Sequence, residues 1–127
     1  MNILKLKNGK VEIRKENGSL IRTIGTGSAT SADFNSDQSL VLITTLKGKV
    51  EIRKESGSLI RTIGNGNATF ARFQGSDIAI TLSNGKIELR KENGSLIRTL
   101  WFFLLNDSQN KVFKRFLFNI WIKHFIF

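Results

Sequence analysis

A near-exact internal repeat constrains this chain more than any other feature. The segment Gly9-Lys-Val-Glu-Ile-Arg-Lys-Glu-Asn-Gly-Ser-Leu-Ile-Arg-Thr-Ile-Gly25 returns as residues 48–64 with one change, Asn17 becoming Ser56. It returns again over residues 85–100 with apolar exchanges only: Val11 becomes Ile87, Ile13 becomes Leu89 and Ile24 becomes Leu100. The copies begin 39 and then 37 residues apart. Between them, Ala29-x-x-Ala32-x-Phe34 is echoed by Ala68-x-x-Ala71-x-Phe73, each followed by an apolar run, Leu40 to Leu46 and Ile78 to Leu82. A unit recurring every roughly 20–50 residues cannot bury its hydrophobic side alone and must stack on its neighbours. The repeat therefore dictates a modular array.

Each unit reads as four short strands. Ala29 to Phe34 is a small-residue strand ending in an aromatic, and Leu40 to Leu46 is the continuous apolar run of a strand buried on both faces. Lys49 to Lys54 alternates, with Val50 and Ile52 on one face and Lys49, Glu51 and Arg53 on the other. Leu59 to Ile63 is the fourth strand. Asn8-Gly9, Asn17-Gly18, Asn84-Gly85 and Asn93-Gly94 supply turn residues that tolerate positive φ. No helical stretch separates the strands, so the units are antiparallel meanders in an all-β chain. Residues 1–25 hold three strands, a partial unit; residues 26–64 and 65–100 each hold a complete one.

A four-stranded unit of this length resembles the blade of a WD-repeat β-propeller. In that family an inner small-residue strand is followed by an apolar strand, a third strand of the type Gly-x-Val-x-Leu-Trp-Asp, and then Gly-x-Leu-x-x-Thr-Leu. Here Gly48 to Arg53 fills the third strand and Gly57 to Ile63 the fourth. Arg53-Lys54 stands where the Trp-Asp pair would be, and no Gly-His pair precedes the inner strand, so the hydrogen-bond network of those residues is expected to be missing. The resemblance implies an incomplete ring, since propellers close with roughly four to eight blades. Two apolar faces of roughly 400 Å² each would then stay open, forgoing about 10 kcal/mol apiece at about 25 cal/mol per Å². The expectation is a homo-oligomer, a trimer favoured, or a ring shared with other repeat chains. Its assembly core would be Phe34, Val50, Ile52, Phe73, Ile87 and Leu89. The function implied is a non-catalytic scaffold for protein–protein interaction.

The chemistry of the remaining residues agrees with a scaffold. The chain has no cysteine and one histidine, His124, which excludes disulfides, thiolate metal sites and most triad hydrolases. The acidic residues recur with the repeat as Glu12, Glu51 and Glu88 and as Glu16, Glu55 and Glu92, the pattern of a solvated strand face and its turn. No cofactor or metal site is expected. The net charge is +10, and the bases repeat too: Lys10, Lys49 and Lys86, with Arg14, Arg53 and Arg90, form rows. Those rows are a candidate for weak, sequence-independent polyanion binding.

From Trp101 the composition changes. Residues 101–127 hold both tryptophans and seven of the ten phenylalanines, with no glycine. Three readings stand. Phe113, Phe116, Leu117, Ile120, Trp121 and His124 fit one face of a helix packed on the ring or on another subunit. Alternatively the segment is a basic amphipathic stretch at a membrane surface, a contact not favoured here. Or it is a non-homologous, read-through tail. Trp101 to Leu105 would serve as a degenerate inner strand. Met1 to Lys7 has no signal-peptide character and no apolar run is long enough to span a bilayer, so the expected location is cytoplasmic.

Overall fold

A computed structural model of the chain describes residues 1–101, and these are all-β. Eleven strands run in order: β1 (Ile3–Lys7), β2 (Lys10–Arg14), β3 (Leu20–Ile24), β4 (Ala29–Phe34), β5 (Leu40–Thr45) and β6 (Val50–Lys54), then β7 (Leu59–Ile63), β8 (Ala68–Gln74), β9 (Asp77–Leu82), β10 (Lys86–Arg90) and β11 (Leu96–Trp101). They form three antiparallel sheets in meander order: β1-β2-β3, β4-β5-β6-β7 and β8-β9-β10-β11. The expected helix, the membrane contact, the inner strand beyond Trp101 and His124 all lie outside the described residues.

Two hydrophobic seams hold the sheets together. Val11, Ile13 and Ile24 of the first sheet meet Val41 and Ile43 of the second, with Leu4, Ala32 and Phe34 packed at the edge. Leu42, Val50, Ile52 and Ile63 of the second sheet meet Ala68, Ala71, Ile78, Ile80 and Leu82 of the third, with Phe73 alongside. The alternation along β5 explains its unbroken apolar run: Val41 and Ile43 face one neighbour and Leu42 the other. Ile87 is buried as well, whereas Leu89 is only half-buried.

The turns depart from expectation at their asparagines. Asn8 (φ 52°) and Gly9 (φ 77°) form the two-residue turn joining Lys7 to Lys10, as primed hairpins require. The other three asparagines keep negative φ and work through their side chains. Asn17 and Asn93 accept hydrogen bonds from the backbone and hydroxyl of Ser19 and Ser95, and Asn84 accepts from the Lys86 backbone. A local side-chain acceptor fixes those turns, and glycine alone supplies the left-handed residue.

Candidate interaction site

The solvated face assigned to the glutamates is corrected by the structure. In every blade the next-to-last strand, β2, β6 or β10, carries an ion pair between residues two apart: Glu12–Arg14, Glu51–Arg53 and Glu88–Arg90, each at 3.0 Å. The same arginine donates through Nη1 to the carbonyl of the turn glycine, Gly18 at 2.6 Å, Gly57 at 2.8 Å and Gly94 at 2.7 Å. The pairs are mostly withdrawn from water: the side chains of Glu51 and Arg53 are both 13% exposed. A guanidinium can do this because its planar fork serves two acceptors at once. Glu-x-Arg thus pins that strand to the turn that leads into the last. Arg14, Arg53 and Arg90 are consequently not an open basic row.

The blades are also stitched to one another by repeated contacts. Ile24 lies against Gly57 and Ile63 against Gly94, glycines at φ 104° and 97° where an added Cβ would come within 3.1 Å of the isoleucine. Arg22 pairs with Glu55 of the next blade at 3.5 Å, and Arg61 donates to the Asn93 carbonyl at 3.3 Å. The Phe73 backbone N–H donates to the Asp33 carboxylate at 2.9 Å.

These contacts orient the stack, and its two ends differ in charge. One end gathers the turns β1–β2, β5–β6 and β9–β10 with the connections β3–β4 and β7–β8. Backbone hydrogen bonds link the loops there in series: Ala29 to Gly9 and Ala68 to Gly48 between blades, and Leu46 to Ser28 and Ser83 to Asn67 within them. Gly9 and Gly48 have no room for a side chain, because a Cβ would collide with the carbonyls of Gly27 and Gly66. The loops on this end, residues 7–10, 25–28, 46–49, 64–67 and 83–86, contain Lys7, Lys10, Lys47, Lys49 and Lys86 and no acidic residue. Lys10 and Lys49 are exposed and Lys86 is half-buried. At the opposite end lie the acids Glu16, Asp37, Glu55, Asp77 and Glu92. Lys15, Lys54 and Lys91 accompany them, and the Ser39 hydroxyl holds the Asp37 carboxyl below its ordinary value. The two residue types of the predicted basic rows thus separate: the lysines mark one end and the arginines are structural.

A blade-by-blade alignment of register shows one more asymmetry. Ile43 pairs with Glu51, and Lys5 pairs with Glu12, so Lys5 occupies the position of Ile43. By the same count Lys7 occupies that of Thr45, and Ile3, 50% exposed, that of Val41. The outward face of the first sheet therefore carries exposed lysines where the second presents apolar surface to its neighbour. The expectation of two apolar open faces is corrected on this side. The repeat does not reveal it, because Met1 to Lys7 lies ahead of the first copy, which begins at Gly9.

The chain is a stack of antiparallel blades, one three-stranded and two four-stranded. The crystal structure of BamB from Moraxella catarrhalis is similar over 84% of this chain, with a TM-score of 0.66 and 15% identity. The RRP9 WD40 repeats are similar over 79% of it, with a TM-score of 0.67 and 14% identity. The chain folds as a segment of a β-propeller. It spans about a third of each of those structures, 34% and 35% of their lengths. No protein-family model and no curated protein matches its sequence. Within this propeller segment, residues 1–25 are a three-stranded blade and the two following sheets are complete blades. The Glu-x-Arg ion pair with its glycine carbonyl stands in the strand where the family's Trp-Asp pair would be.

Proposed function

We propose that this propeller segment is a non-catalytic scaffold for protein–protein interaction, with recognition carried by the ends of its blades. The observation that carries this reading is the commitment of the blade-face charges. Glu12, Glu51, Glu88 and their arginines are consumed in structural pairs, and Asp33 is bound to the Phe73 backbone, so the displayed polar groups lie on the end loops, the outermost strands and the lysine-bearing face of the first sheet. Among the described residues no group of three His, Asp or Glu side chains converges to hold a metal.

Ring completion is the finer part of the proposal. The sequence favours a trimer of identical chains, joined by copying the contact between two blades. That contact would set Ile3 and Lys5 of one copy against Ile87 and Leu89 of another, the positions equivalent to Val11 and Ile13, with Lys7 at its margin. Burying an unpaired ammonium against apolar side chains costs several kcal/mol, enough to cancel much of the area gained. The reading is therefore of a scaffold whose ring is completed by a different repeat segment, one with acidic side chains opposite Lys5 and Lys7. Light scattering on the full chain tests this. The native chain should run as a monomer at micromolar concentration. Lys5→Ile/Lys7→Thr, which restores the residues of the second blade, should associate. A trimer of the native chain would contradict the proposal.

A further inference from the structure

We infer that the lysine end of the blade stack binds a phosphate-bearing polymer, gripping its backbone without reading its sequence. The array is built rather than accidental. The hydrogen bonds Ala29 to Gly9, Leu46 to Ser28, Ala68 to Gly48 and Ser83 to Asn67 lock successive loops together. Lys7 and Lys10 flank the first turn, and Lys47 and Lys49 sit in the second. Packed sheets are spaced about 10 Å apart, so the lysine pairs recur at about that interval, held by a rigid frame that loses little entropy on binding.

Charge selects the class of ligand. The nine acidic residues among 1–101 are all accounted for elsewhere: five at the opposite end, three in the blade ion pairs and Asp33 between blades. Not one faces this end. Gly9, Gly25, Gly27, Gly48, Gly64 and Gly66 all have positive φ in these loops, and such turns can present backbone N–H groups to an anion. Lysines are hydrated point charges suited to phosphate oxygens, whereas base readout and stacking need arginine forks and aromatic rings. These loops contain neither. Leu46, 77% exposed, is the one large apolar side chain they display, too little to anchor a protein partner through a buried hot spot.

The proposal rests on the scaffold reading, in that the blade ends are taken as the contact surfaces, but it can fail separately. The probe is a fluorescein-labelled 25-base-pair DNA duplex of mixed sequence, titrated with the full chain and read by anisotropy. Four phosphate contacts predict a slope of about −3.6 in log K against log salt, or about a 150-fold loss of affinity between 50 and 200 mM salt. A second duplex of unrelated sequence should bind equally. Lys7→Gln/Lys10→Gln/Lys47→Gln/Lys49→Gln should lose on the order of 100-fold at 50 mM salt, and Lys15→Gln/Lys54→Gln/Lys91→Gln less than about 10-fold. Matching circular dichroism spectra would confirm that both variants fold. Three results overturn the assignment: no binding at 50 mM salt, equal losses in the two variants, or displacement by polyglutamate more readily than by polyphosphate at equal charge. The last would mark an acidic protein as the ligand and leave the scaffold reading standing.

Discussion

Truncating Arg53 to alanine should expose what the ion pair within each blade contributes. Arg53 touches Glu51 at 3.0 Å and the Gly57 carbonyl at 2.8 Å, and both charged side chains are 13% exposed. Arg53→Ala leaves a carboxylate and a carbonyl without a donor. Breaking a buried pair costs about 3–5 kcal/mol; with some water still reaching the site, about 2–4 kcal/mol is expected. Removing Glu51 as well deletes the stranded charge, so the double variant should recover part of the loss and give a coupling energy of about 1–2 kcal/mol. Arg14 is 25% exposed, so Arg14→Ala should cost less than Arg53→Ala. Urea unfolding followed by far-UV circular dichroism measures the native chain, the Arg53 and Glu51 single variants, their double variant and Arg14→Ala. A cost below about 0.5 kcal/mol for Arg53→Ala, the range of an ordinary surface substitution, would refute the argument, as would a double variant that equals the sum of the singles.

Three further expectations follow from the packing. Gly48→Ala should destabilise by more than about 2 kcal/mol, since it demands φ 79° of an alanine and drives a Cβ into the Gly66 carbonyl; an unchanged urea midpoint would contradict this. Thr44, fully buried with no partner for its hydroxyl, should tolerate Thr44→Val at no cost or with a gain of up to about 1 kcal/mol, and a marked loss would mean that the hydroxyl is bonded after all. Ser39→Ala should let the Asp37 carboxyl titrate closer to its ordinary value, because the lost hydroxyl is the largest cause of its depression. The depressed value means any stabilisation is present at neutral pH and disappears as pH falls through it; an NMR titration that does not move would sink that assignment.

Much of this fold is legible in the repeat. Val50 and Ile52 alternate with Glu51 and Arg53, which fixes the two faces of the third strand, and the unbroken run from Leu40 marks the strand between two seams. What the alternation cannot reveal is whether the charged face is wet. Glu51 and Arg53 look like a solvated stripe by spacing alone, and their pairing depends on the turn glycine folding back onto the arginine, a three-dimensional coincidence. The lysine end was hidden for a related reason. Lys10 and Lys49 are read as members of strand rows, and they separate from Arg14 and Arg53 only when the topology sends the two ends of the strand to opposite ends of the stack. The polar outward face of the first blade was legible in principle: aligning Leu4 with Leu42 sets Lys5 against Ile43.

Hydrogen–deuterium exchange of the full chain tests the stacked-blade account most directly. A strand covered on both faces opens only when the stack itself opens. Val41 to Thr45 of β5 and Ile78 to Ile80 of β9, buried throughout, should hold their amide protons longest. The edge strands should exchange first, β1 ahead of β2 and β7 ahead of β6. Slowest exchange in β5 is the predicted result. Uniformly fast exchange across the repeats, or protection in β1 equal to that in β5, would contradict the account.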